Sequence, residues 1–212
     1  MRFPDYNFVS LAKNMRKKRT ILTIEELSIP KGSNDIFTSY LRYPKEYFDY
    51  WKENKGSVAK YKGNCYSDCL PIDLDCEDLN DALIECQNLI SMLVNKSGVN
   101  SNCLGIFFSG SKGFHIEVPT VLFGDIKPSD NLPYIFKEIP KILDVKYHDT
   151  TIYYRNALWR ATNTINSKSG LYKIPLSFNQ INTLSIEDIE FLAKEPNKDY
   201  EPLNYEDRKS VV

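Results

Sequence analysis

The stretch Cys69-Leu70-Pro71-Ile72-Asp73-Leu74-Asp75 passes from apolar residues into alternating acids. Cys69–Leu74 reads as a buried strand, and at period two Asp73 and Asp75 project from the same face of it. Two carboxylates side by side repel each other unless something cationic neutralises them. Magnesium and manganese are hard ions that prefer carboxylate oxygens, so a divalent metal is the natural answer. A lone Asp-x-Asp is a weak signal, and the bland alternative is a solvated strand edge. Here the pair follows an apolar run, which places it at the lip of a core.

The elements around this strand follow from local signals. Asp78 caps a helix running to about Val94, with Leu79, Leu83, Cys86, Ile90 and Leu93 on one apolar face. Leu104–Phe108 and Phe114–Val118 are strands joined at Ser109-Gly110-Ser111-Lys112-Gly113, a turn in which both glycines tolerate positive φ. Pro133–Leu143 is a short helix. Leu158–Arg160 and Leu171–Leu176 read as a further strand pair joined by a polar loop. Ser185 followed by Asp188 resembles a capping box for a helix reaching about Lys194. Nearer the start, Thr20–Ile24 is a strand. Residues 34–54 hold seven aromatics, Phe37, Tyr40, Tyr43, Tyr47, Phe48 and Trp51 among them, several at helical spacing and so mostly core. Hairpins mixed with helices predict an α+β fold. Residues 1–196 are expected to form the domain and 197–212 a polar tail or linker.

Composition limits the function classes. The chain has 212 residues, 42% of them hydrophobic, enough for a sizeable core. With 27 basic and 28 acidic residues it is not a uniformly basic nucleic-acid binder, although a local basic groove is compatible with that balance. The run Arg16-Lys17-Lys18-Arg19 is either a solvated turn or a phosphate contact. No apolar run approaches the ~20 residues that span a bilayer. Met1–Arg19 lacks a secretory pattern, so a cytoplasmic protein is expected. Cys65, Cys69, Cys76, Cys86 and Cys103 form an odd set. Cys65 and Cys69 have a spacing open to metal, but no second pair follows, and ordinary reduced thiols are expected.

The hairpin Ser109-Gly110-Ser111-Lys112-Gly113-Phe114-His115 is more specific. Glycines let backbone approach a phosphate, successive N–H groups form an anion nest, and Lys112 adds a point charge. His115, at the start of the returning strand, could donate to a phosphate oxygen. The spacing is too short for a Walker loop and no helix follows. A plain hairpin with one core-facing histidine is the alternative.

These two motifs are followed by Leu158-Trp159-Arg160-Ala161-Thr162-Asn163-Thr164-Ile165-Asn166-Ser167-Lys168-Ser169-Gly170-Leu171. In that order the three resemble the archaeo-eukaryotic primase superfamily, in its primase-polymerase branch. That family has an acidic pair on a strand, a Ser/Gly-basic-Gly-x-His hairpin, and an acidic residue ahead of an arginine-led strand. Asp73-Leu74-Asp75, Ser109–His115, and Asp149 with Arg160 match them. Asp149-Thr150-Thr151-Ile152-Tyr153-Tyr154-Arg155-Asn156, Ser57-Val58-Ala59 and Tyr61-Lys62-Gly63 are also similar to that branch. The resemblance covers roughly residues 36–194. Asp144 competes with Asp149 for the third acidic position, but Asp149 has the better spacing to Arg160. Asn166 stands where the family often has a histidine or lysine.

The resemblance implies a catalytic core related to the RNA-recognition motif beside a second α/β lobe, with the active site in the cleft between them. It implies a nucleotidyltransferase that starts and extends DNA or RNA primers on a single-stranded DNA template from nucleoside triphosphates. Asp73, Asp75 and Asp149 would hold two ions, Mg2+ or Mn2+. Ser109, Ser111, Lys112, Gly113 and His115 would hold the phosphates, with Arg160 and Lys168 contacting the incoming nucleotide. Plasmid or phage replication, repair and CRISPR systems are the settings of such enzymes, where replication or CRISPR proteins and further domains would be partners. The rival readings are an end-extending repair polymerase with the same site, a metal-dependent nuclease, and a binding module without activity.

Overall fold

The structure, a computed structural model, describes residues 3–15 and 18–202. Arg16 and Lys17 of the basic run therefore lie outside the described residues, as do residues 203–212 of the polar tail. Two four-stranded antiparallel sheets carry the fold. The first has the order β2-β1-β3-β7 and contains β1 (Phe8–Lys13), β2 (Thr20–Thr23), β3 (Ile36–Thr38) and β7 (Trp159–Arg160). The second has the order β4-β6-β5-β8 and contains β4 (Cys69–Asp75), β5 (Gly105–Phe108), β6 (Gly113–Pro119) and β8 (Ile174–Pro175). With the helices this is an α+β architecture. Among the described residues no helix is long and apolar enough to cross a membrane.

β4 and its helix form as their local pattern dictates. Leu70, Ile72 and Leu74 are fully buried on one side of the strand. α2 (Leu79–Ser91) starts where the Asp78 side chain accepts from the Asn80 amide, and it runs on as a π turn over Met92–Lys96. Its face of Ala82, Leu83, Cys86, Leu89 and Ile90 is buried against β4 and β6. Each leucine or isoleucine of that face contributes roughly 1.5–3 kcal/mol of transfer free energy. α1 (Lys45–Glu53) buries Tyr47, whose ring stacks on that of Tyr43, so the aromatic run is partly core and partly lining. α3 (Leu132–Ile142) packs beside β4, and α4 (Phe178–Thr183) and α5 (Ile186–Leu192) pack on α2. α5 has the capping box of Ser185 and Asp188.

Two expectations fail in instructive ways. Leu158–Arg160 and Leu171–Leu176 do not form a strand pair within one sheet. β7 pairs with β3, Phe37 opposite Arg160, while β8 pairs with β5, Phe108 opposite Ile174. The chain between them crosses from one sheet to the other, held by the Lys173 amide on the Thr164 carbonyl at 3.0 Å and the Asn163 amide on the Lys173 carbonyl at 2.8 Å. Nor does Gly113 need positive φ. Gly110 has φ +80°, but a Cβ at Gly113 would stand 1.7 Å from the Leu74 carbonyl oxygen, so close strand approach is what demands glycine there. The described start of the tail lies against the body: the Asn197 amide donates to Asn163 Oδ1 at 2.9 Å, and Asn163 Nδ2 returns a bond to the Asn197 carbonyl.

Candidate active site

The site grows from the acidic end of β4. In the β4–β6 ladder Asp73 lies directly opposite His115 and Asp75 opposite Gly113. Paired residues share a face, so the carboxylate of Asp73 meets the imidazole of His115, with Nε2 3.5 Å from Oδ1. The strip 147–149 lies along the other edge of β4. The Asp75 amide donates to the Tyr147 carbonyl at 3.0 Å, and the Asp149 amide donates to the Asp73 carbonyl at 2.8 Å. Asp73, Asp75 and Asp149 are thereby gathered at one strand end.

Asp149 also caps the short 3-10 turn Thr150–Ile152, accepting from the Thr151 amide and hydroxyl, each at 2.7 Å. Its carboxylate is committed to Thr151 in this conformation. Among the described residues no three histidine, cysteine or carboxylate side chains converge closely enough to hold an ion as they stand. Asp144 is elsewhere. It is exposed, follows α3 with φ +54°, and faces a groove bordered by Glu85, Asn88 and Lys146.

Electrostatics mark the acidic cluster as unfinished. Burial, and then the neighbouring charges of Asp149 and Asp75, push the Asp73 carboxyl up to about 7, with Lys173 pulling the other way. A buried acid whose charge is opposed by neighbouring carboxylates is relieved by a cation, and its oxygen donors suit a hard divalent ion. The residues therefore fit such an ion in chemistry and in neighbourhood, with Asp149 having to turn from Thr151. His115 is buried and held neutral, its pKa pushed well below the usual histidine value by burial and by the charges of Lys173 and Arg160. A phosphate contact from it would be an ordinary neutral hydrogen bond.

The hairpin abuts this cluster. The Ser109 amide donates to the Gly113 carbonyl at 2.9 Å and the Ser111 amide to Ser109 Oγ at 3.3 Å, so the turn is internally braced. Lys112 is exposed, and its carbonyl accepts from the Cys76 amide just beyond β4. The loop 166–170 is clasped to the hairpin by Ser169 Oγ, which donates to the Gly110 carbonyl at 2.5 Å. Lys168 on that loop is exposed as well. Asn166 is buried and builds the loop, its Oδ1 accepting from the Lys168 amide at 3.1 Å. Arg160 is turned to Asp35, with Nη1 3.0 Å from its carboxylate and 3.1 Å from the Ile165 carbonyl.

Several residues here gave no local signal. Trp159 of the first sheet stacks on His115 of the second, ring centroids 3.9 Å apart, and donates its indole N–H to Glu117 at 2.8 Å. Lys173 is fully buried beside them. Asp35 anchors Arg160 and the Ser167 hydroxyl; burial opposes its ionisation, but those hydrogen bonds outweigh it and hold the carboxyl below its ordinary value. A lysine between Tyr172 and Ile174 in an apolar run was the one visible hint. The five cysteines are unbridged, and Cys65 gives its thiol to the Ser129 carbonyl at 3.3 Å.

No protein-family model matches the chain. It is similar to the DNA primase small subunit PriS of Methanoregula boonei (strain DSM 21154 / JCM 14090 / 6A8), with 26% identity over 121 residues. That stretch is 53% of this chain and 31% of the archaeal subunit, so the chain spans about a third of the length of the curated relative it matches.

Proposed function

We propose that the chain is a nucleotidyltransferase of the archaeo-eukaryotic primase superfamily, in its primase-polymerase branch, that starts and extends primers on single-stranded DNA from nucleoside triphosphates. The observation that carries this reading is the gathering of Asp73, Asp75 and Asp149 at one strand end beside the Ser109–His115 hairpin. Similarity to a primase small subunit supports it independently. The run β4–α2–β5–β6, with β6 in the middle of its sheet, supports an RNA-recognition-motif-like core. The contact between His115 and Trp159 supports a site lying where the two sheets meet.

In this reading Asp73, Asp75 and Asp149 would hold two divalent ions, magnesium or manganese. Such ions lower the pKa of an attacking hydroxyl and neutralise charge on a leaving pyrophosphate. The chain's own residues do the positioning. Amides of the braced hairpin and the exposed Lys112 receive phosphate oxygens, and Lys168 on the clasped loop adds a second cation. His115, neutral and fixed on Trp159, orients a phosphate through a hydrogen bond. Arg160 contributes positive potential, and Asp35 fixes its direction.

The direct test is incubation with single-stranded DNA, manganese and labelled nucleotides, followed by product sizing. Template-dependent products on an unprimed strand are the expected result. Products on primed strands alone would instead assign an end-extending polymerase. Shortened template without incorporation would assign a nuclease and overturn the reading.

A further inference from the structure

Lys173 is a lysine with only 1% of its surface exposed. Removing an ammonium from water costs several kcal/mol even after relaxation, and an apolar side chain of similar size would fill the same space more cheaply. Its surroundings are specific. Nζ donates to the Arg160 carbonyl at 3.0 Å and lies 3.9 Å from Glu117 Oε1. It sits over two aromatic rings, 4.8 Å from the centroid of Trp159 and 4.5 Å from that of Phe107. The same Glu117 oxygen takes the indole N–H of Trp159.

Lys173 thus touches the β7 backbone, the Trp159 ring and Glu117 of β6 at once, adding to the direct bond from Trp159 to Glu117. β7 is two residues long and has only Phe37 and Thr38 as ladder partners, too little to fix its angle to the second sheet. Glu117 belongs to β6 of that second sheet. Lys173 comes from the crossing segment just before β8 and ties the β7 backbone to Glu117, while its charge faces the ring on which His115 rests.

We propose that Lys173 is a positioning residue for the nucleotide site: buried itself, it forms with Glu117 an ion-paired clamp that sets Trp159 and Arg160 against His115. This rests on reading the site as one for nucleoside triphosphates. The clamp acts through its neighbours, with no contact to the substrate. Burial pushes the Lys173 ammonium down to about 8, opposed by Glu117 and Asp73, so the clamp is closed at neutral pH.

The test uses the full chain in a Trp51→Phe background, which leaves Trp159 as the sole tryptophan. Lys173→Met, Glu117→Gln and the double variant are compared with the parent by thermal melting, by acrylamide quenching of Trp159, and by calorimetric titration with manganese and dATP. Glu117→Gln leaves the buried Lys173 ammonium without its carboxylate, and Lys173→Met takes that ammonium from Glu117, so each single variant should melt earlier, whereas the double variant should recover its melting temperature. Trp159 should remain more quenchable in the double variant, and dATP affinity about tenfold weaker. A double variant that regains stability, shielding and affinity together would reduce the pair to packing and overturn the proposal. Quenching settles the matter on its own terms: unchanged shielding of Trp159 in Lys173→Met or the double variant overturns the clamp, whatever dATP does. A parent that binds no dATP overturns the nucleotide reading, and the quenching comparison still decides the clamp.

Discussion

The amide of Asp149 donates to the carbonyl of Asp73 at 2.8 Å, and the flanking residues continue the attachment, His148 bridging Leu74 and the Tyr147 carbonyl taking the Asp75 amide. A segment with no regular strand of its own is thus laid along the last residues of β4. The consequence is electrostatic. Asp73 is buried there and the side chain of Asp149 leaves an adjacent backbone position, so burial first and then the charges of Asp149 and Asp75 raise the Asp73 carboxyl to about 7.

That shift fixes a pH dependence. The Asp73 carboxyl sits at about 7 in the folded protein against an ordinary value of 3.8, so between these values the folded state holds more protons than the unfolded one. The stability this group contributes is present at low pH and is lost as pH rises through about 7. Asp73→Asn should therefore raise the melting temperature above about pH 8 and leave it nearly unchanged near pH 4. Manganese at millimolar concentration should stabilise the wild type at the higher pH and not the variant. Differential scanning fluorimetry across pH checks both, and a variant less stable than wild type at high pH would contradict the assignment.

Gly113 carries a purely steric prediction. Its absent Cβ leaves room for the Leu74 carbonyl, which would otherwise lie 1.7 Å away. Because the neighbour is backbone and not a flexible side chain, Gly113→Ala must push β6 from β4 at the position opposite Asp75. A loss on the order of 3 kcal/mol or more in urea unfolding is expected. Gly98→Ala is a suitable control, since a Cβ there meets nothing within 4 Å, although its φ of +68° adds strain. Comparable losses in the two variants would mean that β4 and β6 approach less closely than this structure has them.

The contrast between these residues explains what the sequence discloses. The acidic strand end, the Asp78-capped helix and the hairpin were readable because each depends on neighbours a few residues apart: period-two alternation, a capping side chain, a glycine turn. The roles of Trp159, Glu117, Lys173 and Asp35 depend on which strand lies beside which. β7 joins β3 and β8 joins β5, pairings between distant segments that no local pattern encodes. Lysines are almost never fully buried without a partner, so Lys173 reads as a solvated residue until Glu117 and the two rings are placed around it. Gly113 was found for the wrong reason, since its φ is ordinary and the constraint comes from across the sheet.

His115 yields a more modest effect than a charged residue would. It is neutral, buried, and stacked on Trp159. In the proposed site, replacing it by alanine would remove one neutral hydrogen bond to a phosphate, about 1 kcal/mol, together with the packing of the ring. Nucleotide KM should rise several-fold while affinity for single-stranded DNA stays put. Fluorescence anisotropy with a labelled oligonucleotide, run beside the nucleotide titration, separates the two. Weaker DNA binding with unchanged nucleotide KM would take His115 out of the phosphate site.

The choice between Asp149 and Asp144 is the sharpest. Both acids precede Arg160, and in the proposed site a third ligand would have to reach ions held by Asp73 and Asp75. Asp149 is tied by its own amide to Asp73, and to serve as that ligand its carboxylate would give up two bonds from Thr151. Those bonds are at the surface, where each is worth only about 1 kcal/mol, so an incoming divalent ion can outcompete them. Asp144 sits past the C-terminal end of α3 in a left-handed conformation, where the helix dipole disfavours its charge. Asp149→Asn keeps the volume, removes the charge, and should lower incorporation by more than about a hundredfold while the melting temperature holds or rises. Asp144→Asn should keep near wild-type activity and be neutral or slightly stabilising, since asparagine tolerates positive φ as well as aspartate does. Single-turnover incorporation with manganese, alongside melting curves, measures both. Loss of activity in Asp144→Asn with a normal Asp149→Asn would move the third carboxylate to the end of α3.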